Sequence, residues 1–198
     1  MKVVIINYNA GNIRSVDFAL RRMNIDAEIT GSAEKILGAD KVIFPGVGEA
    51  STTMHYLHKH GLVEVIRSLK QPLLGICLGL QLLCSHSEEG NTPCIGIFKE
   101  KVKKFPAQVN NQRYKIPHMG WNTIANLKPG MFNPQLEGRH VYFVHSYYAE
   151  LGEHTAAVTN YGANFSSALQ KDNFYATQFH PEKSGDVGAQ ILKNFIAL

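Results

Sequence analysis

A glycine-flanked cysteine is the residue of this sequence best placed for chemistry. Cys77 lies in the segment 75–79, Gly-Ile-Cys-Leu-Gly, where an apolar strand-like run passes directly into a helical pattern. In such a nucleophile elbow the sharp turn strains the backbone of the nucleophile, and Gly75 and Gly79 relieve the crowding around it. The helix dipole and the unpaired N–H groups at the helix start favour the thiolate and lower the pKa of the cysteine. The pattern therefore predicts that Cys77 is a nucleophile.

A histidine and a glutamate in the segment 178–182, Gln-Phe-His-Pro-Glu, are the predicted partners of this thiol. Pro181 favours an extended His180 at the end of a strand, and the two-residue strand period then places Glu182 on the same side. The carboxylate can hold one imidazole nitrogen while the other nitrogen faces the thiol. These residues predict a triad of Cys77, His180 and Glu182.

A glycine-rich turn is the third element with chemical potential. Pro45-Gly46-Val47-Gly48 follows a predicted strand of the same sheet. The backbone N–H groups of Val47 and Gly48, together with that of Leu78, could form an oxyanion hole beside the elbow. The same composition also fits a turn that only closes a loop.

The elements that must position these residues follow an α/β pattern. Short apolar runs alternate with helical patterns over the first two-thirds of the chain, which is typical of parallel strands joined by crossover helices. The predicted strands are Val3–Tyr8, Ala27–Thr30, Lys41–Phe44 and Leu73–Ile76. A turn at 9–12 precedes a helix that ends near Met23, and a second helix covers Leu78–Ser85.

After Cys94 the pattern changes to strand-like runs separated by Gly, Asn and Pro, which indicates more antiparallel pairing. These runs lie near Lys99–Val109, His140–Ala149, Thr155–Thr159 and Phe174–Phe179. A C-terminal helix packed on the sheet is predicted from the spacing of Val187, Ile191, Phe195 and Leu198. We predict one α/β domain over residues 1–198, with an open mixed, mostly parallel sheet and helices on both faces.

The composition is that of a soluble globular protein, with 44% hydrophobic and 18% charged residues. No long apolar run and no signal-peptide pattern occurs, so we expect a cytoplasmic protein without a membrane partner. Three cysteines are an odd number for a disulfide framework and fit a reducing compartment. No nucleic-acid motif accompanies the net charge of +4. Cys84, His86 and Cys94 lack metal-ligand spacing, so neither a metal nor another cofactor is expected.

Three motifs, in this order, resemble those of class I glutamine amidotransferases: Pro-Gly-Val-Gly, Gly-Ile-Cys-Leu-Gly-Leu-Gln and Phe-His-Pro-Glu-Lys-Ser. The resemblance implies their flavodoxin-like fold. Two further segments, Pro-His-Met-Gly-Trp-Asn at 117–122 and Phe-Val-His-Ser-Tyr at 143–147, resemble the amidotransferase subunits of imidazole glycerol phosphate synthases in histidine biosynthesis. The similarity covers essentially the whole chain.

The resemblance implies a glutaminase. Cys77 would attack the glutamine carboxamide, His180 would pass the proton to departing ammonia, and water would hydrolyse the thioester to glutamate. Glu182 would orient His180, and the N–H groups of Val47 and Leu78 would stabilise the oxyanion. The glutamine pocket would be lined by five side chains: Gln81, Glu89, His145, Ser146 and Tyr147.

The resemblance also implies a heterodimer with a (β/α)8-barrel cyclase. The cyclase would join the channelled ammonia to a phosphoribulosyl formimino aminoimidazole carboxamide ribonucleotide, giving imidazole glycerol phosphate and an aminoimidazole carboxamide ribonucleotide. The residues that would face this partner are Asn12, Pro117, His118, Trp121, Asn122, Tyr142 and Lys183. In this family glutamine hydrolysis is typically weak until the partner binds its ligand.

Two alternatives stay open at the level of the sequence. A similar glutaminase subunit could supply ammonia to an amidotransferase that modifies bacterial surface sugars. A cysteine hydrolase or peptidase on a related scaffold would also combine an elbow cysteine with a histidine, although usually without a His-Pro-Glu segment near the C-terminus.

Overall fold

The computed structural model describes residues 1–8 and 12–198, where helices and strands alternate through the first half of the chain. The α-helices are α1 (Ile13–Arg21), α2 (Ala33–Leu37), α3 (Ala50–Lys59), α4 (Leu62–Ser68), α5 (Leu78–Leu83) and α6 (Gly185–Ala197). The strands are β1 (Val3–Ile6), β2 (Ala27–Thr30), β3 (Lys41–Gly46), β4 (Leu73–Cys77), β5 (His86–Ser87), β6 (Thr92–Pro93), β7 (Lys101–Lys104), β8 (Gln108–Val109), β9 (Gln112–Arg113), β10 (His118–Thr123), β11 (His140–His145), β12 (Tyr147–Ala149), β13 (Thr155–Asn160), β14 (Asn164–Lys171) and β15 (Phe174–Thr177).

One large sheet organises the molecule, in the strand order β2-β1-β3-β4-β15-β14-β12-β7-β5-β6, with β13 paired beside β14. The strands from β2 to β15 in this order run parallel to their neighbours. The continuation through β14, β12 and β7 is antiparallel. Two antiparallel pairs, β10–β11 and β8–β9, lie outside this sheet. The predicted open mixed α/β sheet is confirmed.

Helices cover both faces of the parallel block, and this explains why its strands are apolar along their whole length. Val3 and Ile5 of β1 face one way and pack in the core cluster that contains α1 and α6. Val4 and Ile6 face the other way and pack in the cluster that contains α2, α3, α4 and α5. The sheet therefore holds the carboxyl ends of β3 and β4 rigidly between two layers.

Several predicted boundaries differ from the observed ones. The predicted end of β3 at Phe44 is wrong, because Pro45 and Gly46 continue the strand and pair with Ile76 and Cys77. The helix after Cys77 ends at Leu83, and the run predicted over His140–Ala149 is divided between β11 and β12. Leu198 is 43% exposed and lies beyond α6, so it does not belong to the buried face of that helix.

Part of the predicted turn at 9–12 lies outside the described residues, and only Asn12 can be placed. The structure adds to the predicted elements the helices α2, α3 and α4 and the strands β5, β6, β9, β10 and β14. Within the described ranges, none of the helices has the length and apolar content that crossing a membrane would require.

Candidate active site

Cys77 ends β4 and immediately precedes α5, with backbone angles φ 56° and ψ −108°. This positive φ is a conformation that residues with a side chain rarely adopt, so the predicted strain at the nucleophile is confirmed. A Cβ atom at Gly79 would lie 2.1 Å from the Phe44 carbonyl oxygen, and one at Gly75 would lie 2.7 Å from a Leu83 methyl group. Close packing against backbone therefore requires glycine at 79, whereas at Gly75 the Leu83 side chain would have to move and the Gly79 carbonyl carbon would lie 3.0 Å away.

His180 and Glu182 are buried together, with imidazole Nδ1 2.7 Å from carboxylate Oε1. His180 is extended, as predicted, but the two-residue strand period predicted to carry Glu182 to the same side is wrong. β15 ends at Thr177, and Glu182 lies in the short 3-10 turn Pro181–Lys183. The turn, which begins immediately after His180, carries the carboxylate to the ring, and the Ser184 hydroxyl donates to the His180 carbonyl oxygen at 2.6 Å.

The electrostatic surroundings of His180 favour its charged form. Burial alone would lower its pKa, but Cys77 and then Glu182 raise the pKa of His180 to about 10. The outer nitrogen Nε2 is buried and makes no hydrogen bond with any described residue. The site can therefore pair an imidazolium with the Cys77 thiolate and still move a proton at Nε2.

A cavity of about 340 Å³ opens beside the nucleophile, and Cys77 and His180 both border it. Its walls also include every residue predicted to stabilise the oxyanion or bind the substrate: Val47, Gly48, Leu78, Gln81, Glu89, His145, Ser146 and Tyr147. Together with Cys77 and His180, these residues come from five separate parts of the chain. The structure thus brings the predicted nucleophile, base and pocket residues to one place.

Two of the three predicted oxyanion donors, Val47 and Leu78, approach the nucleophile from neighbouring elements. Gly46 pairs with Cys77 across β3 and β4, so Val47 follows directly beside the elbow. Leu78 is the first residue of α5, and its N–H therefore has no acceptor within the helix. Both groups border the cavity, as stabilisation of a negatively charged oxygen at the reacting carbon requires.

A chain of hydrogen bonds behind the cavity fixes two neutral histidines. His145 Nδ1 lies 2.8 Å from the Tyr147 carbonyl oxygen and must donate to it, which makes its Nε2 an acceptor. His118 Nδ1 then donates to that Nε2 at 3.0 Å, and the Asn122 amide donates to His118 Nε2 at 3.4 Å. Burial lowers the pKa of His145 to about 3 and that of His118 to about 4. Both nitrogens of His145 are thus occupied, and its ring shapes the cavity without a free polar atom.

Known proteins with similar sequences decide the family. Residues 4–198 match the sequence model of a family described as glutamine amidotransferase class-I. A protein named imidazole glycerol phosphate synthase subunit HisH, from Bacteroides fragilis (strain YCH46), is 58% identical over 198 residues, with 100% of each chain covered. A protein of the same name from Haemophilus influenzae (strain Rd) is 44% identical over 197 residues, covering 99% of this chain and 97% of the relative. The chain belongs to the HisH family of class I glutamine amidotransferases.

Solved structures agree with this assignment at the level of the fold. A crystal structure described as a glutamine amidotransferase superimposes with a TM-score of 0.73 at 20% identity and covers 98% of this chain and 97% of its own. Another glutamine amidotransferase, from Thermotoga maritima, gives a TM-score of 0.61 at 17% identity, covering 100% and 81%. The resemblance that the sequence motifs suggested, and the fold it implied, are confirmed.

Two further residues of this HisH-family site, Gln178 and Val144, lie within the quoted motif segments, but no role is predicted for them from the sequence. Gln178 is buried, its Nε2 lies 3.8 Å from Cys77 Sγ, and its Oε1 accepts from Gln81 Nε2 at 3.0 Å. The Val144 carbonyl oxygen lies 3.9 Å from the same sulfur. Gln178 begins the segment 178–182 that predicted His180, and this position is the one feature of the sequence that points to it. A main-chain contact such as that of Val144 leaves no signal in the sequence.

Residues predicted to face a partner lie partly on an open surface next to the cavity. The exposed or half-buried members are Pro117, Trp121, Asn122, Tyr142 and Lys183. Trp121 is 56% exposed and Met119, two positions earlier on β10, is 66% exposed. The ring of Trp121 meets that of Tyr142 edge-on at 6.0 Å. An apolar strip therefore runs along the hairpin formed by β10 and β11.

The other two predicted partner residues, Asn12 and His118, are buried in the isolated chain. Asn12 Nδ2 donates to Glu182 Oε1 at 3.4 Å, so its side chain supports the carboxylate of the triad. His118 belongs to the histidine chain behind the cavity. Both side chains therefore contact residues of the site in the isolated chain.

Proposed function

We propose that this chain is the glutaminase subunit of an imidazole glycerol phosphate synthase and serves histidine biosynthesis. It hydrolyses glutamine to glutamate and ammonia and passes the ammonia to a cyclase subunit. Full-length similarity to subunits of that name supports the proposal. The observation that carries it is the arrangement of Cys77 and His180 on the wall of one cavity, with Glu182 bound to His180.

The first half of the proposed reaction releases ammonia. The Cys77 thiolate attacks the carboxamide carbon of glutamine, and the N–H groups of Val47, Gly48 and Leu78 receive the developing oxyanion. His180, held as imidazolium, gives its Nε2 proton to the amide nitrogen. The carbon–nitrogen bond then breaks, ammonia leaves, and a γ-glutamyl thioester remains on Cys77.

The second half hydrolyses the thioester. Neutral His180 takes a proton from water, and the resulting hydroxide attacks the thioester carbon. The tetrahedral intermediate expels the Cys77 thiolate and releases glutamate, which restores the thiolate and imidazolium of the resting site. Glu182 supports the positive charge on His180 at both stages through its 2.7 Å contact.

Polar residues of the cavity wall are the proposed contacts of the glutamine backbone. One oxygen of Glu89 is fixed because it accepts the Ala50 N–H at 2.8 Å. Burial raises the pKa of Glu89, and an ammonium group in the cavity would favour its charged form. We propose that Glu89 binds the α-ammonium group, with Gln81, Ser146 and Tyr147 completing the pocket.

The proposed partner is a (β/α)8-barrel cyclase that docks over the hairpin next to the cavity. Its contacts would include Pro117, Trp121, Asn122, Tyr142 and Lys183, while Asn12 and His118 act from beneath. Enclosure at this interface would keep ammonia away from bulk water and therefore unprotonated. We also propose that residues 1–198 act as one amidotransferase domain and that the complex is cytoplasmic.

Glutamate release by the complex with cyclase and its nucleotide ligand tests this function. We expect strong stimulation by the cyclase, and complete loss of glutamine turnover in Cys77→Ala. Ammonium salts should still support product formation by the Cys77→Ala complex, because only the ammonia source is removed. Cys94→Ala, which alters a cysteine outside the cavity, is the matched control and should retain turnover.

Glutamine turnover by the Cys77→Ala complex would refute the assigned nucleophile. Wild-type turnover that no cyclase stimulates would refute the assigned partner.

A further inference from the structure

Tyr8 is a buried residue near the active site to which the proposed reaction gives no role. It follows β1 and belongs to the core cluster that also contains Ala50, at the start of α3, and Leu78, at the start of α5. Its ring packs against Phe44 at a centroid distance of 5.3 Å. Its hydroxyl donates to the Pro45 carbonyl oxygen at 2.5 Å, across a separation of 37 residues. This hydrogen bond ends two residues before Val47, the proposed oxyanion donor.

The hydroxyl of Tyr8 is packed against both elements that supply the oxyanion donors. A Cβ atom at Gly46 would lie 2.7 Å from the Tyr8 hydroxyl oxygen, 2.7 Å from the Gly79 nitrogen and 2.8 Å from Leu78 Cβ. The tyrosine hydroxyl, the end of β3 and the first turn of α5 therefore meet at one point. A displacement of the Pro45 carbonyl would change the position of Val47 relative to Leu78.

The segment formed by Val47 and Gly48 has open space on two sides. It borders the active-site cavity, and it also borders a second cavity of about 280 Å³. The second cavity is lined by Tyr8, Val47, Gly48, Glu49, Thr52, Thr53 and Tyr56. Packing from either side therefore constrains the Val47 peptide little. Its direction depends on how the residues before and after it are held.

We infer that Tyr8 is a positioning residue for glutamine hydrolysis, whose hydroxyl fixes the Pro45 carbonyl and so directs the Val47 N–H into the oxyanion hole. This inference rests on the proposed function. On the other side of the segment, Glu49 caps α3 by accepting the Thr52 N–H at 3.1 Å. The segment is thus held at both ends, by Tyr8 at Pro45 and by the cap at Glu49.

The hydroxyl of Tyr8 stays a donor at any pH at which the enzyme can be assayed. Burial raises the pKa of Tyr8 far above its ordinary value, and the neighbouring Cys77 raises it further. The hydrogen bond to Pro45 is therefore independent of the protonation of the catalytic groups.

Tyr8→Phe in the complex with the cyclase tests the inference, since it removes the hydroxyl and keeps the ring. We expect kcat for glutamine hydrolysis to fall roughly 10- to 100-fold, with KM within about twofold of wild type. Alkylation of Cys77 by iodoacetamide should keep its wild-type rate, because this displacement develops no oxyanion. Tyr56→Phe is the control, since Tyr56 lines the second cavity but not the active-site cavity.

A second measurement isolates the oxyanion directly. The Cys77 thiol adds to the aldehyde carbonyl of glutamate γ-semialdehyde, and the resulting oxygen lies where the oxyanion forms. The inhibition constant of this aldehyde should therefore rise in Tyr8→Phe by the same factor as kcat falls. Unchanged kcat and inhibition constant in Tyr8→Phe would overturn the inference. An alkylation rate that falls in parallel with kcat would also overturn it, because the hydroxyl would then support the whole site.

A wild-type complex without glutamine turnover would instead refute the proposed function. The semialdehyde affinities of wild type and Tyr8→Phe would still decide the role of Tyr8.

Discussion

His180 lies beside Cys77 and Glu182, and the negative charges of a thiolate and a carboxylate raise its pKa to about 10 against the opposing effect of burial. Because the folded value lies above the ordinary value of about 6.5, the folded state binds a proton that the unfolded chain loses first. The stabilisation from this charge is complete below about pH 6.5 and is lost as the pH rises toward 10. In the proposed reaction, His180 would therefore be protonated at neutral pH and could give its proton to the departing ammonia.

For the buried pair His118 and His145 we expect stability to depend on pH in the opposite direction. Their folded pKa values, about 4 and about 3, lie below that of the unfolded chain, so stability is full above about pH 6.5 and falls on acidification. We expect His118→Asn, whose amide can replace the Nδ1 donor, to reduce this loss between pH 6.5 and 4 by up to about 1.4 kcal/mol per pH unit. Urea unfolding over this pH range measures it.

His58→Asn, at an exposed position of α3, is the matched control for His118→Asn and should keep the wild-type slope. An unchanged slope in His118→Asn would show that protonation of His118 is not linked to unfolding.

Local sequence was sufficient to predict three residues that the structure brings together, Cys77, His180 and Glu182, but not their surroundings. Cys77 and His180 carry neighbours that constrain the backbone within two positions, and such constraints can be read along the chain. The contact of His118 with His145 arises because β10 and β11 pair in one hairpin and set these residues opposite each other. Tyr8 reaches Pro45 only through the order of β1 and β3 in the sheet. Strand order is a property of the whole chain and leaves no local pattern.

The elbow between β4 and α5 is the element on which the site depends most directly. Its sharp turn is possible because α5 packs against β3 with no side chain at Gly79. The strand before the elbow could be predicted from sequence because fully buried parallel strands are continuous apolar runs. The glycines around the elbow could be predicted because the sharp turn leaves little room for side chains next to the nucleophile. Strand β14, Asn164–Lys171, was missed because buried Ser166 and Ser167 interrupt such a run.

Gly79→Ala should disrupt this element. Its Cβ would be placed 2.1 Å from the Phe44 carbonyl oxygen, and backbone cannot yield as a flexible side chain can. We expect a loss of about 1–3 kcal/mol in the free energy of unfolding together with loss of glutamine turnover. Chemical denaturation measures the first and glutamate release the second.

Gly38→Ala is the control for Gly79→Ala, because its nearest contact, the Glu34 carbonyl oxygen, is at 3.3 Å. It should change stability by less than about 0.5 kcal/mol. Equal stability of the two variants would contradict the packing account.

At the scale of the whole molecule, the rigid sheet carries the reacting groups and a separate hairpin borders them with an exposed apolar strip. Trp121 and Met119 lie on β10 of this hairpin, whereas Pro117, just before it, lines the active-site cavity. The histidine chain joins the same hairpin to the cavity wall. A partner bound over the hairpin would therefore contact residues that directly border the reaction.

Trp121→Ala should weaken binding of the cyclase by about 1–3 kcal/mol, roughly 10- to 100-fold, because exposed tryptophans are frequent anchors of interfaces. The stability of the isolated chain should stay nearly unchanged, since the side chain is more than half exposed. Titration calorimetry with the cyclase measures the affinity. Leu37→Ala, at an exposed apolar position on α2, is the control, and an equal loss of affinity in both variants would contradict the placement of the interface.

Trapping the covalent intermediate tests the central claim, that Cys77 carries the γ-glutamyl group, most directly. The complex is quenched in acid during turnover of isotope-labelled glutamine, and its peptides are mapped by mass spectrometry. We predict label on the peptide that contains Cys77, in thioester linkage, and none on that peptide in Cys77→Ala. Label on the peptides of Cys84 or Cys94, or continued glutamate release with no labelled cysteine at all, would contradict the account.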